Sequence, residues 1–398
     1  MVATILVYKL AADRFGDEGF DLYAIARRTN SFLLPLAMAG LSVAVVRSVA
    51  MAGNKDERTD LLRSAFKVLV SICLLLAIIF FLFPAELAFL IFGDRSLAGL
   101  VLPLAGLVIG QVLHALLYAF WRGSGRMAFS NMLQIVDLAL VPIVAFLVPG
   151  PLRMVLMTTA AAWVVIPLCP LLAIVLRQME RPRADRSRSL LKFGLPRVPG
   201  DLALAALLTL PVYVINHTHG FDVGGQVAFG STLLNLTGAL FAPISLLMLP
   251  SIASALARKD HAAVTREVER TRKGTILIAA AIVAIFLIFA RPLLDIYLDG
   301  APAGLVEVTR IIFPAAIFYA LFISLRSVLD AYFESARNSR NILIALVCFV
   351  AGAAIHIWVW PEGLSILWMI PVSMFILAAL TWRDVQRVLG ELRRSEGT

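Results

Sequence analysis

Apolar runs of about 20 residues alternate with short polar segments along almost the whole chain. Because a helix needs about 20 mostly apolar residues to cross a membrane, these runs predict membrane-spanning helices. The first run, MVATILVYKLAA, is only about half a span and is followed by the polar turn GDEGFDLY, which predicts a truncated first helix. The other predicted spans lie near 29–50, 66–92, 97–120, 128–149, 154–176, 198–216, 226–256, 275–298, 304–329, 341–360 and 363–382. The pattern therefore predicts an all-α integral membrane protein with about twelve spans, six in each half.

A polar, Arg-rich stretch, RQMERPRADRSRSLLKFGLPR at 177–197, interrupts the apolar pattern near the middle of the chain. Long hydrophobic blocks flank it on both sides, which is typical of a water-exposed loop between two membrane-embedded halves. We therefore predict a bundle at 1–176, a linker loop at 177–197, a second bundle at 198–382 and a tail at 383–398.

Composition excludes a soluble fold of this length. Hydrophobic residues make up 60% and charged residues 15% of the chain, against roughly 25% charged in soluble domains. In a soluble protein the net charge of +9 would suggest nucleic acid. In a membrane protein, loops that face anionic lipid headgroups explain it better, so no nucleic-acid partner is expected.

Basic residues also predict the orientation. Most of the 35 Lys and Arg residues fall in alternate loops, and Lys and Arg mark the loops that remain in the cytoplasm. These loops lie around 47–67, 122–126, 177–197, 258–273, 326–340 and 383–394. The alternation predicts that the linker and the C-terminus are cytoplasmic.

The two halves resemble each other in sequence. Lys67 matches Lys273 at an offset of 206, and Gly93 matches Gly300 at an offset of 207. An even number of helices per half implies a parallel repeat about an axis along the membrane normal. Two like halves of this kind predict a central cleft, which is typical of an alternating-access carrier.

Several stretches resemble polysaccharide-biosynthesis (oligosaccharide) flippases, which belong to one superfamily with the multidrug and toxin extrusion (MATE) transporters. They are GDEGFDLYAIARR, GLSVAVVR at 40–47, LLKFGLPRVPGDL and LPSIASALARKDHAAVTREVERTRK. The resemblance covers nearly the whole chain and implies a MATE-like fold and a lipid-linked sugar as substrate. The sequence departs from the family where an Asp-Arg pair, often found near the end of the seventh helix, appears here as Pro211-Val212.

Polar residues within the predicted spans are the candidate functional residues, since charge in a bilayer is costly and usually faces a cavity. Asn131, Gln134 and Asp137 recur every three residues in the fifth span and predict a polar stripe. Asp137 is either a cavity-lining or titrating carboxylate, or a buried partner for a polar group on another helix. His114 is either a proton-transfer group or a structural histidine between helices.

Three charged residues near the ends of spans complete the candidate set. Arg47 either extends towards lipid headgroups or contacts a diphosphate, which guanidinium groups bind in a bidentate way. Asp201 is a charge near a membrane boundary, for which a structural role is the alternative. Arg310 follows Glu307 by three residues, a spacing that also suits a local ion pair.

These observations predict an inner-membrane carrier that flips a lipid-linked sugar or oligosaccharide for polysaccharide biosynthesis. Its expected partners are membrane lipids, that substrate and polysaccharide-assembly enzymes, and no cofactor or metal is expected. The alternative carrier is a MATE-like ion-coupled antiporter of small organic cations, for which intramembrane acids would replace cations such as Arg47 in the cleft. A membrane scaffold or an integral-membrane glycosyltransferase is a third class, but the predicted outer loops are too short to hold an enzyme site and no catalytic motif is present.

Overall fold

The computed structural model describes residues 2–176, 184–302, 304–333, 337–360 and 364–396, and within these ranges it contains helices and turns but no strand. The helices are α1 Val2–Met38, α2 Leu41–Met51, α3 Lys55–Leu82, α4 Pro84–Phe92, α5 Val101–Gly123, α6 Met127–Ile135, α7 Val141–Ala145, α8 Leu152–Val175, α9 Ala184–Gly194, α10 Val198–His219, α11 Phe221–Ala257, α12 His261–Leu298, α13 Leu305–Ile312, α14 Ala315–Tyr332, α15 Arg337–Val359 and α16 Met369–Glu396.

Two compact units divide the chain, Met1–Leu202 and Ala203–Thr398. Among the described residues, ten helices are long and apolar enough to cross a membrane, or eleven when α1 and α2 count as one bent span. The sequence predicts about twelve because it separates the first two spans, and α1 likewise consists of two helices that meet at a kink at Gly16. The all-helical membrane fold is confirmed, while the predicted domain boundaries stay a prediction.

The predicted polar turn GDEGFDLY is wrong except at its first residue. Only Gly16 leaves the helical conformation, with φ 66° and ψ −164°, and residues 17–38 continue as helix. The second span therefore begins twelve residues earlier than predicted. A single positive-φ residue suffices to redirect the chain, because glycine reaches this region without a steric penalty. Gly220 does the same between α10 and α11, with φ 92° and ψ 163°.

The charged segments before the third span of each half are helical, although the sequence predicts them as connecting loops. α3 begins at Lys55, where the Asn54 side chain accepts a hydrogen bond from the Glu57 N–H. α12 begins at His261, where the Asp260 side chain accepts one from the Ala263 N–H. Side-chain caps of this kind satisfy the otherwise unpaired N–H groups of a helix start. They allow polar sequence to extend a membrane helix into water.

The predicted linker loop is also largely helical. Residues 177–183 lie outside the described residues, but α9 occupies Ala184–Gly194. Its Arg186 pairs with Asp60 at 3.0 Å and with Glu57 at 3.7 Å on α3, and Leu190 is buried against the same unit. The predicted tail is helical as well, since α16 continues to Glu396. Ion pairs and one buried apolar residue thus hold an amphipathic helix where the sequence suggested a free loop.

α9 ends against the bend between α1 and α2. Ala39 and Gly40 have positive φ angles of 47° and 71°, and the axis turns by 50° there. A Cβ atom on Gly40 would lie 2.2 Å from the carbonyl oxygen of Gly194. The bend and the end of α9 therefore require glycine at both positions.

Gly40→Ala is expected to lower the free energy of unfolding by roughly 2 kcal/mol or more, because it adds left-handed strain and an overpacked backbone contact. Thermal unfolding of the purified chain in detergent measures the loss. Gly274→Ala is the matched control, since nothing lies within 4 Å of a Cβ built there and alanine favours helix. A Gly40→Ala midpoint as high as that of Gly274→Ala would contradict the role of the contact.

Candidate functional site

Two residues that the sequence singled out separately, His114 and Asp137, meet inside the first unit. His114 Nδ1 on α5 lies 2.8 Å from Asp137 Oδ2, so that an imidazole N–H can donate to the carboxylate. Asp137 is completely buried and His114 is 7% exposed. The His114 ring stacks on Tyr118 with a centroid distance of 6.2 Å. The pair is the central feature of the candidate site.

A local defect in the helix shapes the backbone around Asp137. Residues Val136–Leu140 form a π-helical turn between α6 and α7, in which the Val141 N–H bonds to the Val136 carbonyl. The next N–H in this pattern would come from position 142, but Pro142 has none. The Trp163 indole N–H on α8 donates to the Asp137 carbonyl instead. π-turns inside helices often occur at functional sites, and here Trp163 satisfies the carbonyl that the turn leaves open.

Close packing of α5 on α8 brings these groups together. Gly106 and Gly110 are spaced four residues apart, and a Cβ on either would come within 2.8 Å of Ala160 or 2.5 Å of Trp163, respectively. Glycines at this spacing allow two membrane helices to approach closely. His114 is the next residue at the same spacing, so the ridge that packs against α8 also carries the imidazole.

One oxygen of the Asp137 carboxylate remains without a partner. Oδ1 is buried and has no hydrogen bond among the described residues, whereas Oδ2 faces His114. An unpaired buried carboxylate oxygen is costly. Oδ1 therefore offers an unused hydrogen-bond acceptor beside the imidazole. His114 is also the buried partner that Asp137 would need if its role were purely structural.

The other predicted residues do not join this pair. Gln134 is exposed on α6, and Arg47 is exposed on α2 with its guanidinium 4.5 Å from the Phe193 ring. The predicted stripe is not continuous, because each step of three residues rotates the side chain by about 60° around the helix. Asn131 and Gln134 are therefore exposed while Asp137 is buried.

Asp201 and Arg310 are both exposed near helix ends. Asp201 is exposed in the first turn of α10. Arg310 is exposed in the last turn of α13, in the second unit.

A second group of charges, at Arg27 and Arg28, is not among the candidates that the sequence predicts. Arg27 lies 5.8 Å from the ring centroids of both Tyr8 and Tyr23 and donates to the Tyr23 hydroxyl at 3.3 Å. Arg28 is 4% exposed. Arg27 is eleven residues beyond Gly16, which is about 16 Å along the helix. The predicted second span starts at 29, so both arginines precede it.

Comparison with known proteins supports the family resemblance. The chain is 27% identical over 300 residues to the lipid III flippase of Escherichia coli K12, covering 70% of this chain and 69% of that protein. The lipid III flippase of Shigella flexneri matches equally well. No protein-family model matches the chain.

Two solved structures share the fold. One is a multidrug resistance MATE family transporter of the MOP superfamily, with a TM-score of 0.80, 15% identity and coverage of 98% of this chain and 96% of that chain. The other is the lipid II flippase MurJ, with a TM-score of 0.77, 14% identity and coverage of 97% and 85%. The predicted MATE-like fold is thereby confirmed.

Proposed function

We propose that this chain, which has the fold of the MATE-related flippase superfamily, is a membrane carrier that flips a lipid-linked sugar or oligosaccharide between leaflets. The observation that carries the proposal is its similarity to a lipid III flippase over 300 residues. The MurJ-like fold supports the same substrate class. The named relatives are flippases and transporters, which supports a carrier and not an enzyme.

The charges inside the membrane-spanning part favour an anionic substrate. Arg27 and Arg28 lie on the helix that follows Gly16, and charged residues within spans are costly and usually serve a function. Guanidinium groups suit phosphate because they offer several donors in a fixed planar arrangement. A lipid-linked sugar that carries a phosphate or diphosphate is matched by these residues, whereas an organic cation would be repelled by them.

The alternative is an ion-coupled antiporter of small organic cations. It is favoured by the MATE fold and by the buried acid Asp137. In our proposal the same acid serves coupling: proton uptake by the Asp137–His114 pair and its later release bias the carrier between its states.

The cell location that follows is the inner membrane of a bacterium, with the basic loops and C-terminus in the cytoplasm. Polysaccharide-assembly enzymes on either side of the membrane would be its partners.

The substrate classes can be distinguished in reconstituted vesicles. A fluorescent lipid-linked sugar is placed in both leaflets, and a membrane-impermeant reductant bleaches the molecules in the outer leaflet. We expect bleaching of nearly all label in vesicles that contain the protein, and of only the outer-leaflet label in protein-free vesicles. A cationic dye inside matched vesicles should remain there. Dye efflux without lipid movement would contradict the proposal and support the antiporter.

A further inference from the structure

A cavity of about 240 Å³ opens in the first unit where the start of α3 meets the ends of α5 and α8. It is distinct from the His114–Asp137 pair and shares no residue with it. Its lining residues are Lys55, Asp56, Arg58, Thr59, Phe120, Ser124, Arg126 and Ile174. Three cations and one acid line the cavity, so its charge is net positive.

Two buried donor atoms in this cavity have no acceptor among the described residues. Arg58 Nε and Ser124 Oγ are buried, and neither has a hydrogen-bond partner in the part of the chain that the structure describes. Buried polar groups in folded proteins are nearly always paired, and leaving one unpaired is costly. The two atoms therefore indicate a ligand that supplies hydrogen-bond acceptors.

The position of the cavity at the start of α3 adds to the attraction for an anion. Lys55 and Asp56, in the first turn of this 28-residue helix, both line the cavity. Asn54 caps the Glu57 N–H, and the N–H groups at a helix start carry a partial positive charge, which the acidic Asp56 and Glu57 of the same turn offset in part. Helix starts of this kind are common binding sites for phosphate.

The size and the apolar part of the lining limit the ligand further. The volume is below the range of about 300–1,000 Å³ that is typical of pockets for drug-sized molecules, so the cavity suits one small anionic group. Phe120 and Ile174 give it an apolar side. A phosphate attached to an apolar group matches both parts.

We propose that this cavity binds the phosphate of an anionic membrane lipid, with Arg58 and Ser124 as donors and Lys55 and Arg126 as further cations. The cations come from the basic segments at 47–67 and 122–126, which the sequence predicts on the cytoplasmic side. Anionic lipids of the cytoplasmic leaflet lie next to such segments. The site goes beyond the proposed function, because it concerns a bound lipid rather than the transported one.

The test uses the purified, delipidated full chain and titrates phosphatidylglycerol while bound lipid is counted by native mass spectrometry. We expect Arg58→Gln to raise the half-saturating concentration by at least about tenfold, because it removes a charge-assisted hydrogen bond. Ser124→Ala should have a smaller effect in the same direction. Arg188→Gln is the matched control, since Arg188 is exposed on α9 and does not line the cavity; it should bind like the wild type.

A parallel titration with inorganic phosphate separates the two sources of the ligand. One outcome is that millimolar phosphate displaces the lipid in an Arg58-dependent way while the site binds the lipid no more tightly than phosphate. That result would support a phosphate site but overturn the lipid assignment. If Arg58→Gln folds poorly, the test uses Ser124→Ala and Arg58→Lys. Ser124→Ala removes the hydroxyl donor, and Arg58→Lys removes the Nε donor but keeps the positive charge. Wild-type affinity in all three variants would overturn the proposal.

Discussion

Asp137→Asn is expected to leave the chain folded and to lower its transport rate per folded molecule by about tenfold or more. The amide keeps the size of the side chain, but it removes the charge and the charge-assisted hydrogen bond to His114. Such bonds contribute about 1.5–3 kcal/mol, and each 1.4 kcal/mol corresponds to about a factor of ten in rate. The measurement is the initial flip rate in reconstituted vesicles, divided by the amount of folded protein determined from gel filtration.

Two further variants separate coupling from structure. Asp17→Asn is the matched control, because Asp17 is exposed just after the Gly16 break; it should transport like the wild type. The double variant His114→Asn/Asp137→Asn should have a transport rate only slightly below that of either single variant. Mutational effects on residues that act as a unit are not additive. If Asp137→Asn lowers yield and the thermal midpoint while the rate per folded molecule is unchanged, Asp137 is structural and does not take part in transport.

Gly110→Val is expected to destabilise the first unit and to lower its transport rate. A Cβ at this position would lie 2.5 Å from Trp163 Cβ and 2.9 Å from the Trp163 carbonyl carbon, so α5 and α8 must separate. Overpacking of this kind costs about 1–3 kcal/mol and occasionally more. Movement of Trp163 would also break its hydrogen bond to the Asp137 carbonyl. Thermal unfolding and the flip rate should therefore both fall.

Gly390→Val provides the control for this change. Nothing lies within 4 Å of a Cβ built at Gly390 on α16, and valine is a better helix former than glycine, so the same substitution there should not lower the stability. A Gly110→Val protein with wild-type stability and transport would show that close approach of α5 and α8 is not required.

Hydrophobic patterning was sufficient to predict the membrane fold, because each apolar run must be buried in lipid or in protein. It could not predict the helix ends. DEGFDLY looks like a turn by composition, yet only Gly16 adopts a non-helical conformation. The segments before the third spans are polar, yet the caps Asn54 and Asp260 extend them as helix.

The candidate site could be predicted only in part. His114 and Asp137 stood out because polar groups in spans are costly, but they are 23 positions apart and their contact depends on tertiary packing. The spacing of Gly106, Gly110 and His114 was the available signal for that packing. Pro142, five residues after Asp137, was the signal that the helix around Asp137 is irregular. Arg27 was missed because the start of its helix was misplaced.

The central claim is that the buried Asp137–His114 pair couples protons to the movement of a lipid-linked sugar. The most direct test measures the flip rate per folded molecule of the wild type and of Asp137→Asn, in vesicles with equal pH on both sides and in vesicles with an imposed pH gradient. The account predicts that the gradient changes the wild-type rate, while the variant is slow under both conditions and does not respond. Equal rates per folded molecule, or an equal response to the gradient in both proteins, would contradict it.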